Sequence, residues 1–228
     1  MGFAGFDISS YPGDSMMQWL KSNTNFSFVG FYLAPAPCHP DQGWMSKRTI
    51  LAGQGWGFVP VYVGQQEQGV STCQANSLTA AQGTIDGVDA ASKMSHAGFP
   101  PNCVVYLDCE QGGTASGARK AYVGAWVDAV TAASYTAGIY CSHTTAASLL
   151  AIRPNVPVWT WNITAVAPGP VFPTDDPSGS GVPQATVWQY VQNATTTFHG
   201  APTPSLKIDL DCASVNDPSL PPGSAAMV

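Results

Sequence analysis

Residues 104–110 read Val-Val-Tyr-Leu-Asp-Cys-Glu, an apolar run that ends in two acids. β-Branched and aromatic residues over this length are typical of a buried strand. Alternate side chains of a strand point to opposite faces, so Asp108 and Glu110 share one face, about 7 Å apart along the strand. Because an acid without partners is costly to bury, this pair predicts an open strand end that carries chemistry.

Seven further runs of the same kind occur along the chain, at residues 5–9, 26–32, 58–63, 137–141, 156–161, 185–191 and 207–212. Several are almost continuously apolar, as in parallel strands that are buried on both faces. Helical patterns separate the early runs, at residues 14–20, 44–51, 78–94, 118–133 and 144–152. This alternation predicts parallel β-α-β units. Over 228 residues it favours an α/β fold, a single (β/α)8 TIM-type barrel.

Two helical segments carry predicted buried faces. In residues 118–133, Tyr122, Trp126 and Val130 recur every four residues, which places them on one side of a helix. In residues 78–94 we expect Ile85, Val88 and Met94 to form the corresponding stripe.

The last third of the chain lacks this regularity. Residues 162–184 are rich in Pro, Gly and Asp, and residues 192–206 have no helical pattern, so both are expected to be loops. We expect the barrel to occupy residues 1–216 and residues 217–228 to form an extended or disordered tail.

Charge and hydropathy exclude several function classes. The chain has 8 Lys and Arg against 14 Asp and Glu, a net charge of −6, and no basic cluster of the kind that phosphate backbones require. We therefore expect no nucleic-acid partner. No apolar stretch approaches the roughly 20 residues of a membrane span. We expect a monomer.

The six cysteines are an even set without the spacing of a metal site, and the four histidines are scattered. Disulfides in an oxidising compartment are one interpretation; free buried thiols are the other, above all for Cys109 and Cys141 in their strand patterns. Cys38 and Cys73 follow neighbouring strands and are predicted to form a disulfide.

No signal peptide precedes the first strand, which fits a removed leader or a cytosolic protein. We expect an extracellular or cell-wall location.

Acids end other predicted strands as well, namely Asp7 on the first and Asp209 and Asp211 on the last. Strand ends of a parallel barrel meet at the mouth where active sites lie. We therefore expect Asp7, Asp108, Glu110 and Asp209 to converge within roughly 10 Å. Mutual repulsion raises at least one pKa, which suits a general acid. The alternative is that these acids cap helices or pair with one of three cations: Arg119, Lys120 or Arg153.

Aromatic residues lie at the ends of the other predicted strands. They are Tyr32, Tyr62, Tyr140, Trp159, Trp161, Trp188 and Tyr190. Such rings around acids are typical of a glycan groove, although aromatic side chains also serve as core. Strand parity puts Trp159 with Trp161, and Trp188 with Tyr190, without telling which pair faces inward.

Five motifs in order resemble those of family 25 lysozymes and, more closely, their glycoside hydrolase-like relatives (domain of unknown function, number 1906). They are Phe6–Ser9, Asp108–Glu110, Gly138–Tyr140, Trp188–Tyr190 and Ile208–Asp211, and the helical segment 80–98 is similar too. The resemblance implies a barrel with irregular late helices and a proton donor at Glu110. It implies that Asp108 orients an N-acetyl group or water, with Asp7 and Asp209 as further catalytic acids. Asp211 stands where lysozymes usually carry Asn.

The sequence therefore predicts a glycoside hydrolase of β-linked, N-acetylated cell-wall glycans, with peptidoglycan as the first substrate and chitin-like polymers as the second. Substrate contacts are expected from Tyr32, Tyr62, Tyr140, Trp161, Trp188, Gln189 and Asp211. No metal or organic cofactor is expected. The alternative is a non-catalytic glycan-binding or wall-associated module, because a hydrolase fold does not guarantee hydrolysis.

Overall fold

A computed structural model describes residues 2–69, 73, 75–164 and 171–221. Its eight strands hydrogen-bond in chain order into a closed barrel, so the predicted TIM-type barrel is confirmed. The strands are β1 (Phe3–Asp7), β2 (Phe26–Tyr32), β3 (Gly57–Tyr62), β4 (Val104–Cys109), β5 (Thr136–Ser142), β6 (Val158–Trp161), β7 (Ala185–Thr197) and β8 (Ser205–Ala213).

Five α-helices cover the barrel in the described residues: α1 (Asp14–Asn23), α2 (Arg48–Gly53), α3 (Ala80–His96), α4 (Gly117–Ala132) and α5 (His143–Leu150). The predicted face of α4 is confirmed, since Tyr122, Trp126 and Val130 are all buried. The predicted stripe of α3 is wrong at Ile85 and Val88, which are exposed. The helix instead turns its small residues inward, because Gly83 and Gly87 lie directly against the α4 backbone.

The last strand departs from the parallel pattern, because β8 runs antiparallel to both β7 and β1. Only residues 198–204 separate β7 from β8, too few for the dozen or more that a parallel crossover needs. The two long strands form a hairpin. Between β6 and β7 the described residues contain a 3-10 turn (Pro177–Ser180) and no α-helix, as the composition predicted; residues 165–170 lie outside the description.

Apolar side chains form two regions that leave one end of the barrel for a site. The larger region lies between strands and helices. The smaller lies inside the barrel, where Phe28, Val59, Tyr106 and Val187 pack together. Because these residues fill the interior, the barrel is a packed core and not an open channel.

The remaining predictions about the chain have mixed outcomes. The disulfide between Cys38 and Cys73 is confirmed, with Cα atoms 5.3 Å apart. The other four cysteines are free, buried thiols.

Residues 217–221, expected to belong to the tail, pack against the barrel. The Asp217 carboxylate accepts a hydrogen bond from Phe58 N (3.0 Å), and Ser219 is buried. Residues 222–228 lie outside the description. No helix among the described residues is long and apolar enough to cross a bilayer.

Candidate active site

A cavity of about 480 Å³ opens at the carboxyl ends of the parallel strands. Four carboxyl groups line it, those of Asp7, Asp108, Glu110 and Asp209. The structure thus brings together the four acids for which the sequence predicts convergence. Asp209 reaches the mouth in an unexpected way: it lies within antiparallel β8, where it pairs with Asp7, and does not end a parallel strand.

Asp7 accepts hydrogen bonds from two donors, which lie on strands to either side of β1. Its Oδ1 accepts from the Tyr32 hydroxyl (2.6 Å) and its Oδ2 from Gln189 Nε2 (2.9 Å). Burial raises the pKa of Asp7, and these hydrogen bonds partly offset the rise, because they favour the charged form.

Gln189 links four neighbours through one amide. Its Nε2 donates to Asp7 and also to Asp209 Oδ2 (3.2 Å), while its Oε1 accepts from the Tyr140 hydroxyl and from Gln192 Nε2, both at 2.8 Å. Every hydrogen-bonding position of the amide is thus used within the protein. The sequence predicts that Gln189 binds substrate. Gln189 does line the cavity, but in this structure its amide hydrogen-bonds protein groups and links the carboxyls of Asp7 and Asp209.

Asp209 has a pKa that is raised into the neutral range. Burial and the nearby Asp7 raise its pKa to about 7, although Asn193 N donates to its Oδ1 and Lys207 lowers the pKa further. Its protonation state therefore changes near neutral pH.

Asp108 and Glu110 lie side by side at the end of β4, as the strand period predicts. Asp108 is 7% exposed, and its Oδ1 has no hydrogen-bond partner in the described part of the chain. Burial, followed by repulsion from Glu110, raises the pKa of Asp108 well above its usual range. Glu110 is exposed at the rim; partial burial raises the pKa of Glu110 while Arg119 lowers it.

None of these four carboxyls forms a salt bridge within the described residues. The cations considered as partners lie elsewhere: Arg119 pairs with Glu67, and Arg153 pairs with Asp128. The cavity therefore combines several acids with no direct counter-ion, an arrangement that favours protonated carboxyls near neutral pH.

Asp211 lies beneath the cavity and does not line it. It is 1% exposed, and its Oδ1 accepts from Trp159 Nε1 at 2.9 Å. Burial and the proximity of Asp7 raise the pKa of Asp211 well above its usual range. The sequence predicts that Asp211 contacts substrate. It shares the inward face of β8 with Asp209, but it lies one step deeper in the barrel and does not reach the cavity.

The predicted aromatic contacts divide according to strand face. Tyr32, Tyr140 and Trp161 line the cavity. Tyr62 does not, because it faces the helices, where its hydroxyl donates to Asp89 Oδ2 (2.9 Å). Trp188 also faces outward: its Nε1 donates to Asn162 O (2.9 Å), and its ring packs against Tyr190.

Four lining residues are not among the site residues that the sequence predicts: Val61, Trp159, Gln192 and Asn193. Trp159 shares the face of Trp161, and parity alone had indicated that pairing. Gln192 and Asn193 line the cavity because the β7–β8 register shifts between Gln189 and Ala194. The positive φ of Asn193 (56°) is a signal of this irregularity that no sequence pattern gives.

No cluster of three or more His, Cys, Asp or Glu side chains among the described residues has the arrangement of a metal site. The polar and aromatic side chains that line the mouth carry carboxyl groups, amides and aromatic rings.

Comparison with known families identifies the fold and its relatives. The family model described as Rv2525c-like, glycoside hydrolase-like domain matches residues 18–211. The chain belongs to this family. None of the curated protein sequences matches significantly.

Solved structures show the same barrel at low sequence identity. An uncharacterised protein of B. stearothermophilus has 18% identity and a TM-score of 0.67, with 93% of this chain and 96% of that one covered. A bacterial lysozyme from Streptomyces coelicolor has 18% identity and a TM-score of 0.59, covering 92% and 91%. The Tat-secreted protein Rv2525c of Mycobacterium tuberculosis has 14% identity and a TM-score of 0.58, covering 96% of both. At these identities the likeness establishes the glycoside hydrolase-like fold alone.

Proposed function

We propose that this member of the family hydrolyses a β-linked, N-acetylated cell-wall glycan, with peptidoglycan as the first candidate and chitin-like polymers as the second. The observation that carries the proposal is a cavity in which four carboxyls meet aromatic side chains, with no salt bridge to any of the four among the described residues. Glycoside hydrolysis uses such carboxyls, one as an acid and another to assist attack at the anomeric carbon.

Glu110 is the proposed general acid. It must be protonated when substrate binds and must reach the glycosidic oxygen. The raised pKa supports the first requirement, and its position at the rim supports the second. In the proposed step the Glu110 carboxyl protonates the departing oxygen while the bond to the anomeric carbon breaks.

Asp108 is the proposed partner of this acid. Asp108 lines the cavity, and its buried Oδ1 has no hydrogen-bond partner among the described residues, so the carboxyl has the capacity to accept a bond from a substrate acetamido N–H or from the attacking water. The first orients the acetamido oxygen as an internal nucleophile, and the second activates water directly; both occur in glycosidases.

Asp7 and Asp209 are the proposed stabilisers of positive charge at the anomeric carbon. The Gln189 bridge holds both carboxyls in place, and in their ionised form such preorganised groups stabilise positive charge without reorganisation during the reaction. Tyr32, Tyr140, Trp159 and Trp161 supply ring faces for sugar C–H groups.

The names of two relatives support the location, since one is a lysozyme and the other is Tat-secreted. We accordingly propose an extracellular or cell-wall location. All the groups used here come from one chain, so a monomer suffices.

The deciding experiment is release of reducing ends from purified peptidoglycan and from chitin by wild type and by Glu110→Gln. We expect the variant to lose about 10²- to 10⁴-fold in rate, the contribution of a general acid, while glycan cosedimentation persists because the amide keeps the shape. Asp128→Asn is the matched control: it makes the same carboxyl-to-amide change at a surface ion pair and should retain full activity. Equal rates for wild type and Glu110→Gln would remove Glu110 from this role. A wild type that cosediments with glycans but never cleaves them is the non-catalytic glycan-binding module instead.

A further inference from the structure

The strand that carries the candidate acid lacks a neighbour on one side at its end. β3 pairs with β4 only as far as Tyr62 and Leu107, whereas β5 pairs with β4 out to Cys109. On the β3 side the carbonyl of Asp108 and the N–H of Glu110 therefore face no strand.

The side chain of Gln66 occupies this gap. Its Nε2 donates to Asp108 O at 3.0 Å, and its Oε1 accepts from Glu110 N at 3.3 Å. In a parallel ladder, a residue donates to the carbonyl before its partner and accepts from the N–H after it. The Gln66 amide makes this pair of bonds around Cys109, so one buried side chain replaces a strand residue.

The orientation of this amide is itself fixed. Gln66 is 1% exposed, and its backbone N–H donates to Ala75 O at 2.9 Å. Its Oε1 also accepts from the Arg119 guanidinium (3.4 Å), which Gln65 O and the Glu67 carboxylate hold in place. Because a guanidinium can only donate, the Gln66 oxygen must face Arg119 and Glu110 N, which leaves Nε2 for Asp108 O.

We infer that Gln66 is a positioning residue for the reaction proposed above: it holds the backbone at Asp108–Glu110 extended, so that both carboxyls point into the cavity. The inference rests on the proposed role of Glu110. Displacement of a reacting group by about 1 Å can cost about 10²-fold in rate, so loss of this clamp should lower kcat far more than it changes KM.

The kinetic arm compares Gln66→Ala and Gln66→Met with Gln65→Ala on the glycan that wild type cleaves. Met keeps the volume of Gln66 without its hydrogen bonds and covers the case in which the Ala variant fails to fold. Gln65 is the matched control, because it is similarly buried in the same loop and bonds Asp86 Oδ2 (3.2 Å) and Ser77 N (3.0 Å), not β4. We expect kcat to fall about 10- to 100-fold in the Gln66 variants with KM within about twofold, and kcat to stay within about twofold in Gln65→Ala.

The second arm measures amide hydrogen exchange at Glu110 and needs no substrate. We expect exchange at the Glu110 N–H to accelerate about fivefold or more in both Gln66 variants, as loss of one hydrogen bond predicts, and to be unchanged in Gln65→Ala. Unchanged exchange or unchanged kcat in a folded Gln66 variant overturns the inference. If wild type cleaves no glycan, the proposed function fails, and the exchange arm alone decides whether Gln66 holds this segment.

Discussion

At the scale of single residues, the site depends on where each tyrosine hydroxyl points. Tyr32 and Tyr62 both stand at the ends of neighbouring strands, and both donate to a carboxylate. Tyr32 donates to Asp7 in the cavity, whereas Tyr62 donates to Asp89 on α3. Because the two bonds are chemically alike, the pair separates a contribution to function from a contribution to stability.

Tyr32→Phe should lower glycan cleavage by about tenfold, whereas Tyr62→Phe should leave it unchanged. The Tyr32 hydroxyl lowers the pKa of Asp7, so its removal raises that pKa further and moves the acid limb of the rate profile to higher pH. Each variant should also lose about 1–3 kcal/mol of stability, as expected for a hydrogen bond to a charged group. Rate against pH, with urea unfolding of both variants, checks this. A lost rate in Tyr62→Phe, or an unmoved acid limb in Tyr32→Phe, would contradict it.

At the scale of elements, the alternation of each strand decides which aromatic rings reach the cavity. Trp161 on β6 turns inward and Trp188 on β7 turns outward, although the two lie on neighbouring strands. Trp188 is 9% exposed and packs over Gly179 and Tyr190. Its role is therefore to join β7 to the 3-10 turn.

Trp161→Ala should weaken glycan binding about tenfold with little change in stability, because a partly exposed ring at a binding site acts mainly through its ligand contact. Trp188→Ala should do the reverse, losing about 3–5 kcal/mol of stability, as truncation of a buried aromatic ring does. Cosedimentation with peptidoglycan and urea unfolding of the two variants make the comparison. The assignment of faces is wrong if Trp188→Ala keeps wild-type stability but loses binding.

The strand period predicted more of the site than of its surroundings. The Asp108–Glu110 face and the pairing of Trp159 with Trp161 follow from alternation alone. The inward direction of each pair depends on how the barrel closes, which one strand's sequence does not contain, so Tyr62 and Trp188 were misplaced. The antiparallel β8 was not predicted, and the loop expected over residues 192–206 is wrong at both ends: β7 extends to Thr197 and β8 begins at Ser205, which leaves only residues 198–204 between them. The sequence does not predict the role of Gln66, because this loop residue acts only through the gap that β3 leaves beside the end of β4.

At the scale of the whole molecule, buried acids make stability depend on pH. The pKa values of Asp7, Asp108, Glu110, Asp209 and Asp211 are all raised, with burial as the first cause. An acid whose pKa is higher in the folded than in the unfolded state stabilises the fold below the unfolded pKa, and this contribution is lost as pH rises through the folded pKa. The cavity therefore costs stability at neutral pH.

The free energy of unfolding should accordingly fall between about pH 4 and pH 7, the window set by the ordinary Asp pKa of 3.8 and the value of about 7 for Asp209. Asp209→Asn should flatten this slope and stabilise the protein at pH 7 by on the order of 1–2 kcal/mol, a modest gain because solvent reaches part of the carboxyl. Asp14→Asn is the control of opposite sign: the Tyr11 hydroxyl and Lys47 lower the pKa of Asp14, so that variant should lose stability at pH 7. Urea unfolding at closely spaced pH values measures all three proteins. A wild-type stability that rises through this window, or an Asp209→Asn slope equal to that of wild type, would show that folding does not raise the pKa values of these acids. The proposed proton transfer depends on such a raised pKa.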